Sequence, residues 1–104
     1  MERIAFTTLV KVDQEAEYRR RHEDIWPAMV RALKMAGCSN CSKHMDGQDL
    51  FGYMEVDSFN RFKSYMSTSR EAQRWEAQVA PILERAVQPE TSLHKVLPEV
   101  FHLV

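Results

Sequence analysis

At 104 residues the chain has the length of one domain, and its balance of 44 % apolar and 28 % charged residues is that of a folded protein rather than a disordered one. A formal net charge of −1 gives no overall field for nucleic acid, and no apolar run approaches the ~20 residues that a membrane span needs. The start, Met-Glu-Arg-Ile-Ala-Phe, has no apolar signal core, so a cytoplasmic location with reduced thiols is expected.

Residues 3–12 are rich in β-branched and apolar types. Ile4, Phe6, Thr8, Val10 and Val12 fall on one face at period two, which predicts a first strand. Asp13 is placed to cap the charged, strongly helix-forming stretch from Gln14 to His22. Trp26 precedes Pro27 and is pushed out of helical geometry, so the helix should break near Asp24–Trp26 and restart with Pro27 in its first turn. Met29, Val30, Leu33 and Ala36 give the second piece one buried face, and Gly37 suits its C-terminal cap. Cys38–Met45 reads as a strand diluted by Ser and Asn. Asp46-Gly47-Gln48-Asp49 is a turn signal, and Leu50–Val56 is the returning strand of a hairpin. Ser58 is a second cap, before Phe59, Phe62, Tyr65 and Met66 at helical spacing. Ser67-Thr68-Ser69 breaks that helix and caps another from Arg70 to Arg85, which Pro81 should kink. A loop over 87–95 with a turn at Pro89, then a last strand from Val96 to Val104, complete the chain.

The order β-α-β-β-α-β predicts a single α+β domain over residues 1–104, ferredoxin-like, with an antiparallel sheet and helices on one face. A chain this small buries a modest share of its surface, so a second copy is the natural cover for the other sheet face.

The only cysteines, Cys38 and Cys41, have the C-x-x-C spacing of a redox pair or half a metal site. Redox pairs favour helix N-termini, whereas this one enters a strand, where residues three apart face opposite ways; unlinked cysteines are therefore expected. Tyr18, His22 and Trp26 are four apart, which on one helix stacks a phenol, an imidazole and an indole along a single wall. Such a stripe serves core packing or, because imidazole titrates near neutrality, a proton-transfer site beside a flat apolar surface. Trp75 divides in the same way between core and site. The run Arg19-Arg20-Arg21 is short and flanked by acids, which suits a solvated helix face.

At these residues the chain resembles the L-rhamnose mutarotase family over nearly its whole length. The likeness rests on Glu17-Tyr18-Arg19-Arg20-Arg21-His22 with Ile25-Trp26-Pro27, on Ala5-Phe6, Gly37, Asn40 and Leu50-Phe51, and on Gln73-Arg74-Trp75 and Glu99-Val100-Phe101. The resemblance implies a homodimeric α/β barrel that binds a monosaccharide, a 6-deoxy-L-hexose, and needs no metal or organic cofactor. It implies His22 as the proton donor, Tyr18 as a sugar-binding residue, and Trp75 as the first of two pocket tryptophans. The mechanism expected on that basis has His22 protonate the ring oxygen, with Trp26 and Trp75 shaping the wall. Cys41 stands where the family often has Tyr, Glu76 where it has a second Trp, and His44 where an aromatic is common. These departures put the sugar-contacting surface at Cys41 and Glu76 and make L-fucose a competitor of L-rhamnose. A ligand-binding module without catalysis and a cofactor-free monooxygenase are the alternatives on the same fold.

Overall fold

The computed structural model describes residues 1–84 and 95–104. Among these, the elements run β1 (Glu2–Leu9), α1 (Glu15–Glu23), α2 (Pro27–Met35), β2 (Cys38–Asp46), β3 (Asp49–Val56), α3 (Phe59–Thr68), α4 (Arg70–Val79) and β4 (Lys95–Leu97), with a 3-10 turn at Ala80–Ile82 after α4. The four strands form an antiparallel sheet in the order β2-β3-β1-β4, which is the ferredoxin-like arrangement. Among the described residues no helix is long and apolar enough to cross a membrane.

Period-two alternation buries one sheet face and leaves the other partly open. Ile4, Phe6 and Thr8 of β1, with Leu50, Met54 and Val56 of β3, point inward, while Ala5, Thr7, Phe51 and Tyr53 point outward. The inward set packs on Met29 and Ala32 of α2, Phe62 and Met66 of α3, and Ala72, Trp75 and Val79 of α4 in one core. Gly52 pairs with Phe6 across β1 and β3, and a Cβ there would lie 2.2 Å from the Phe6 ring. Glycine at this place leaves room for the Phe6 ring, which any side chain at position 52 would displace.

Local signals set the helix limits. Trp26 is extended (φ −63°, ψ 139°) and Pro27 opens α2, so the pre-proline break falls where expected. Ser58 accepts from the Arg61 N–H at 3.3 Å and Ser69 from the Ala72 N–H at 3.2 Å, each satisfying a first-turn donor. Gly37, at φ +86°, ends α2, and Gly47, at φ +60°, makes the β2–β3 turn. Glu17 bonds Arg20 and Arg21, and Arg21 also donates to the Gln78 carbonyl, tying α1 to the end of α4.

Four expectations change. Asp13 does not cap α1: it sits at φ +66° after a turn closed by Gln14 N–H on Lys11 O at 3.1 Å, and Gln14 takes the cap position without a side-chain bond. The first strand stops at Leu9; Val10 is buried in an isolated bridge to Leu83, and Val12 is exposed. The last long helix stops at Val79, because Pro81 lacks an N–H and the chain tightens to a 3-10 turn. Among the described residues the final strand is Lys95–Leu97; Pro98 cannot donate to a ladder, and Val100, Phe101, Leu103 and Val104 are exposed. Arg85 and the turn at Pro89 lie outside the described residues.

One irregularity matters for the site. Cys38 and Ser39 pair with Val56 and Glu55, but Ser42 pairs with Tyr53, so Asn40 and Cys41 together oppose Met54. This is a β-bulge in an edge strand. Asn40 takes φ +47°, a conformation that Asn tolerates better than most residues, and its amide donates to Glu55 Oε1 at 2.6 Å. The extra residue shifts the alternation, so Cys41 faces the helices on the same side as Cys38 rather than the opposite one. Lys43, paired with Gly52, faces inward as well, and His44, paired with Phe51, faces outward. Both cysteines are free, and the buried Cys38 thiol points to Met54 Sδ at 3.8 Å.

Candidate active site

Between the inner sheet face and the helices lies a cavity of about 410 Å³, within the size range of small-molecule sites. Its wall is largely apolar, with Phe6, Met54, Phe62 and Met66 among the lining residues. Among the described residues, five polar side chains converge on it: Tyr18 and His22 from α1, Cys41 and Lys43 from the bulged β2, and Glu76 from α4.

The aromatic groups form a continuous chain. Tyr18 and His22, one helical turn apart, stack with ring centroids 4.2 Å apart at 25°. The Trp75 ring meets His22 edge-on at 5.2 Å and Trp26 edge-on at 5.3 Å. Trp75 is 6 % exposed, so it serves core and cavity wall together. Trp26 is not on the wall. It stands behind Trp75, with the Arg74 guanidinium 5.5 Å from its ring centre. The four-residue spacing from His22 to Trp26 crosses the helix break, and the indole leaves the face that Tyr18 and His22 share.

The partners of His22 fix its chemistry. Nδ1 lies 3.1 Å from the Tyr18 carbonyl oxygen, which can only accept, and Nε2 lies 3.1 Å from Lys43 Nζ, which as an ammonium can only donate. Both partners select one state: a neutral imidazole with its proton on Nδ1 and its lone pair on Nε2. Burial first, and then the Lys43 charge, pull the ring from its ordinary 6.5 down to about 4. At cellular pH His22 therefore starts as a proton acceptor. Lys43 Nζ also lies 3.4 Å from the Tyr18 hydroxyl oxygen. Burial raises the Glu76 carboxyl above its ordinary range, which suits a group that shares a hydrogen bond with a hydroxyl.

The arrangement offers an apolar wall for C–H groups, a neutral base, an ammonium, a phenol and a carboxyl for hydroxyls. A family model described as L-rhamnose mutarotase matches residues 3–103. The chain belongs to the L-rhamnose mutarotase family. It is 34 % identical over 105 residues to the L-rhamnose mutarotase of Oceanobacillus iheyensis and 37 % over 106 residues to that of Yersinia pestis, with 99 % of both chains covered in each case. The crystal structure of an L-rhamnose mutarotase from Formosa agariphila superposes with a TM-score of 0.81 at 27 % identity, covering 100 % of both chains.

In this member of the L-rhamnose mutarotase family, the structure brings Tyr18, His22, Cys41, Trp75 and Glu76 together around one cavity. Cys41 is exposed, so it sits at the rim. Sequence reasoning missed Lys43, together with Ile25, Met29, Leu33 and Val79 of the wall. The apolar ones carried a helical-core signal that does not separate core from cavity. For Lys43 the strand period points to the wrong face until the bulge is counted.

Proposed function

We propose that this protein is a mutarotase that interconverts the α and β anomers of a 6-deoxy-L-hexose, L-rhamnose first and L-fucose next. Its family supports the reaction, and one observation carries the reading: a neutral imidazole whose lone pair stands on the wall of a sugar-sized cavity. Anomer exchange opens the pyranose, which requires a proton to leave the anomeric hydroxyl and one to reach the ring oxygen. His22 is the proton-transfer group. In its neutral state it takes the anomeric proton on opening and gives it back on closure, and only once protonated does it serve as donor. Tyr18 orients a hydroxyl, and Trp75 presents an apolar surface to the ring and its methyl group. Cys41 at the rim and Glu76 on the wall read the hydroxyl pattern, which is why L-fucose stands close to L-rhamnose.

Saturation-transfer NMR on equilibrated L-rhamnose, L-fucose and D-glucose tests this. We expect anomer exchange with the deoxy-L-sugars at least about 10²-fold above the buffer rate, and little with D-glucose. Binding without exchange would make the protein a ligand-binding module, and oxygen uptake with an aromatic substrate would make it an oxygenase.

The same reading includes a homodimer working among reduced thiols in the cytoplasm, in keeping with the two free cysteines. The outward sheet face carries Ala5, Thr7, Phe51 and Tyr53, and the tail exposes Val100, Phe101 and Leu103. A second copy is the occupant that would cover both. Sedimentation velocity at micromolar protein should give twice the chain mass; a single 12.2 kDa species would remove the dimer.

A further inference from the structure

We propose that Lys43 is the second acid–base group of this site, acting with His22 as a pair on the two oxygens of the anomeric carbon. The inference rests on the mutarotase reading above. It starts from a geometric match. The anomeric hydroxyl and the ring oxygen are attached to one carbon, and Lys43 Nζ and His22 Nε2 stand side by side at 3.1 Å. One of these nitrogens carries a lone pair and the other carries protons.

The ammonium has three donors. One meets His22 Nε2, a second lies near the Tyr18 hydroxyl, and the third is left for a ligand in the cavity that Lys43 lines. When a sugar enters, its anomeric O–H takes the place of the Lys43 N–H at Nε2, and the released N–H turns to the ring oxygen. On opening, the anomeric proton moves to Nε2 and a lysine proton moves to the ring oxygen. The bond between C1 and the ring oxygen breaks as the C1 carbonyl forms. The products are an open-chain aldehyde with a free hydroxyl on C5, an imidazolium and a neutral amine. After rotation about C1–C2, the amine takes the C5 hydroxyl proton, that oxygen closes on the other face of C1, and the imidazolium returns its proton to the anomeric oxygen. No net proton is gained or lost, and neither group needs water within the cycle.

Among the described residues, the other titratable groups facing this cavity are Tyr18, Cys41 and Glu76. On its far side the pair borders a second hollow of about 400 Å³, lined also by Arg19, Glu23 and His44. That hollow gives both nitrogens a route to solvent protons between turnovers.

Two variants separate proton transfer from charge. Lys43→Met removes both; Lys43→Arg keeps the charge but does not release a proton at any working pH. Lys43 is exposed in the monomer, so both variants should fold, which thermal unfolding checks. With L-rhamnose, both should lower kcat about 10²-fold while KM changes far less. In an NMR titration the His22 ring of Lys43→Met should titrate at higher pH than in the wild type. An arginine variant within a few-fold of wild-type kcat would reduce Lys43 to a fixed charge and overturn the proposal. So would an unchanged kcat in the methionine variant, or an unmoved His22 titration. If the wild type itself exchanges no anomers, the mutarotase reading falls with it; active wild type beside active variants removes Lys43 alone.

Discussion

Alanine at position 22 should slow anomer exchange at least 10²-fold, in line with the about 10²–10⁴-fold that a positioned acid or base contributes, while the domain stays folded. The imidazole stacks on Tyr18 and meets the edge of Trp75, but no backbone group depends on it: the Tyr18 carbonyl it engages already stands in the ladder of α1. The variant should therefore keep its circular dichroism and lose rate in saturation-transfer NMR. Wild-type exchange in His22→Ala would remove the ring from the reaction.

The same ring links stability to pH. Its folded value of about 4 lies below the ordinary 6.5, so between those values the unfolded chain binds more protons. The stability it contributes is complete above about pH 6.5 and is lost as pH falls toward about 4. The loss is on the order of 2 kcal/mol after allowance for solvent screening of a half-buried ring. Wild-type Tm should thus drop between pH 7 and pH 4.5 by more than that of His22→Ala. Activity should hold at pH 5.5, where an ordinary histidine would be mostly protonated. An acid limb centred near 6.5 would contradict the neutral state assigned to the ring.

Trp75→Ala should be strongly destabilising. The indole is buried and braces His22 on one side and Trp26 on the other. Truncating a buried Trp costs about 3–5 kcal/mol, a large part of the stability of a domain this size. A Tm fall of more than about 10 °C follows. Trp75→Phe keeps an apolar ring in the gap and should lose less than half as much. A further split is expected in kinetics: the phenylalanine variant should raise KM for L-rhamnose more than it lowers kcat, because the wall is changed and the proton-transfer nitrogens are not. A Trp75→Ala domain as stable as the wild type would mean that the cavity wall carries little of the core.

What could be read from the chain follows from which periodicities hold. Tyr18 and His22 lie in one unbroken helix, so their spacing placed them correctly on a shared face. Ser58, Ser69, Gly37 and Pro27 act through their own backbone chemistry, and each marks a boundary where expected. Trp26 failed as a wall residue because its spacing was counted through the break that Pro27 creates. Asp13 failed as a cap because its backbone is in the left-handed region. The tail failed as a strand because, among the described residues, its alternating apolar residues find no partner strand beyond Leu97. Lys43 was hidden for a different reason. Its direction depends on a bulge, and the only local sign of one is an asparagine at position 40.

That extra residue in β2 has a reach beyond its own hydrogen bond to Glu55. Downstream of it the strand presents Cys41, Lys43 and Met45 to the helices; on an even ladder the neighbours Ser42 and His44 would stand there instead. A one-residue change in count at the margin of the sheet can thus exchange a thiol and an amine for a hydroxyl and an imidazole, with every helix left where it is. In this architecture, the chemistry available to a ligand can be rewritten by counting rather than by repacking.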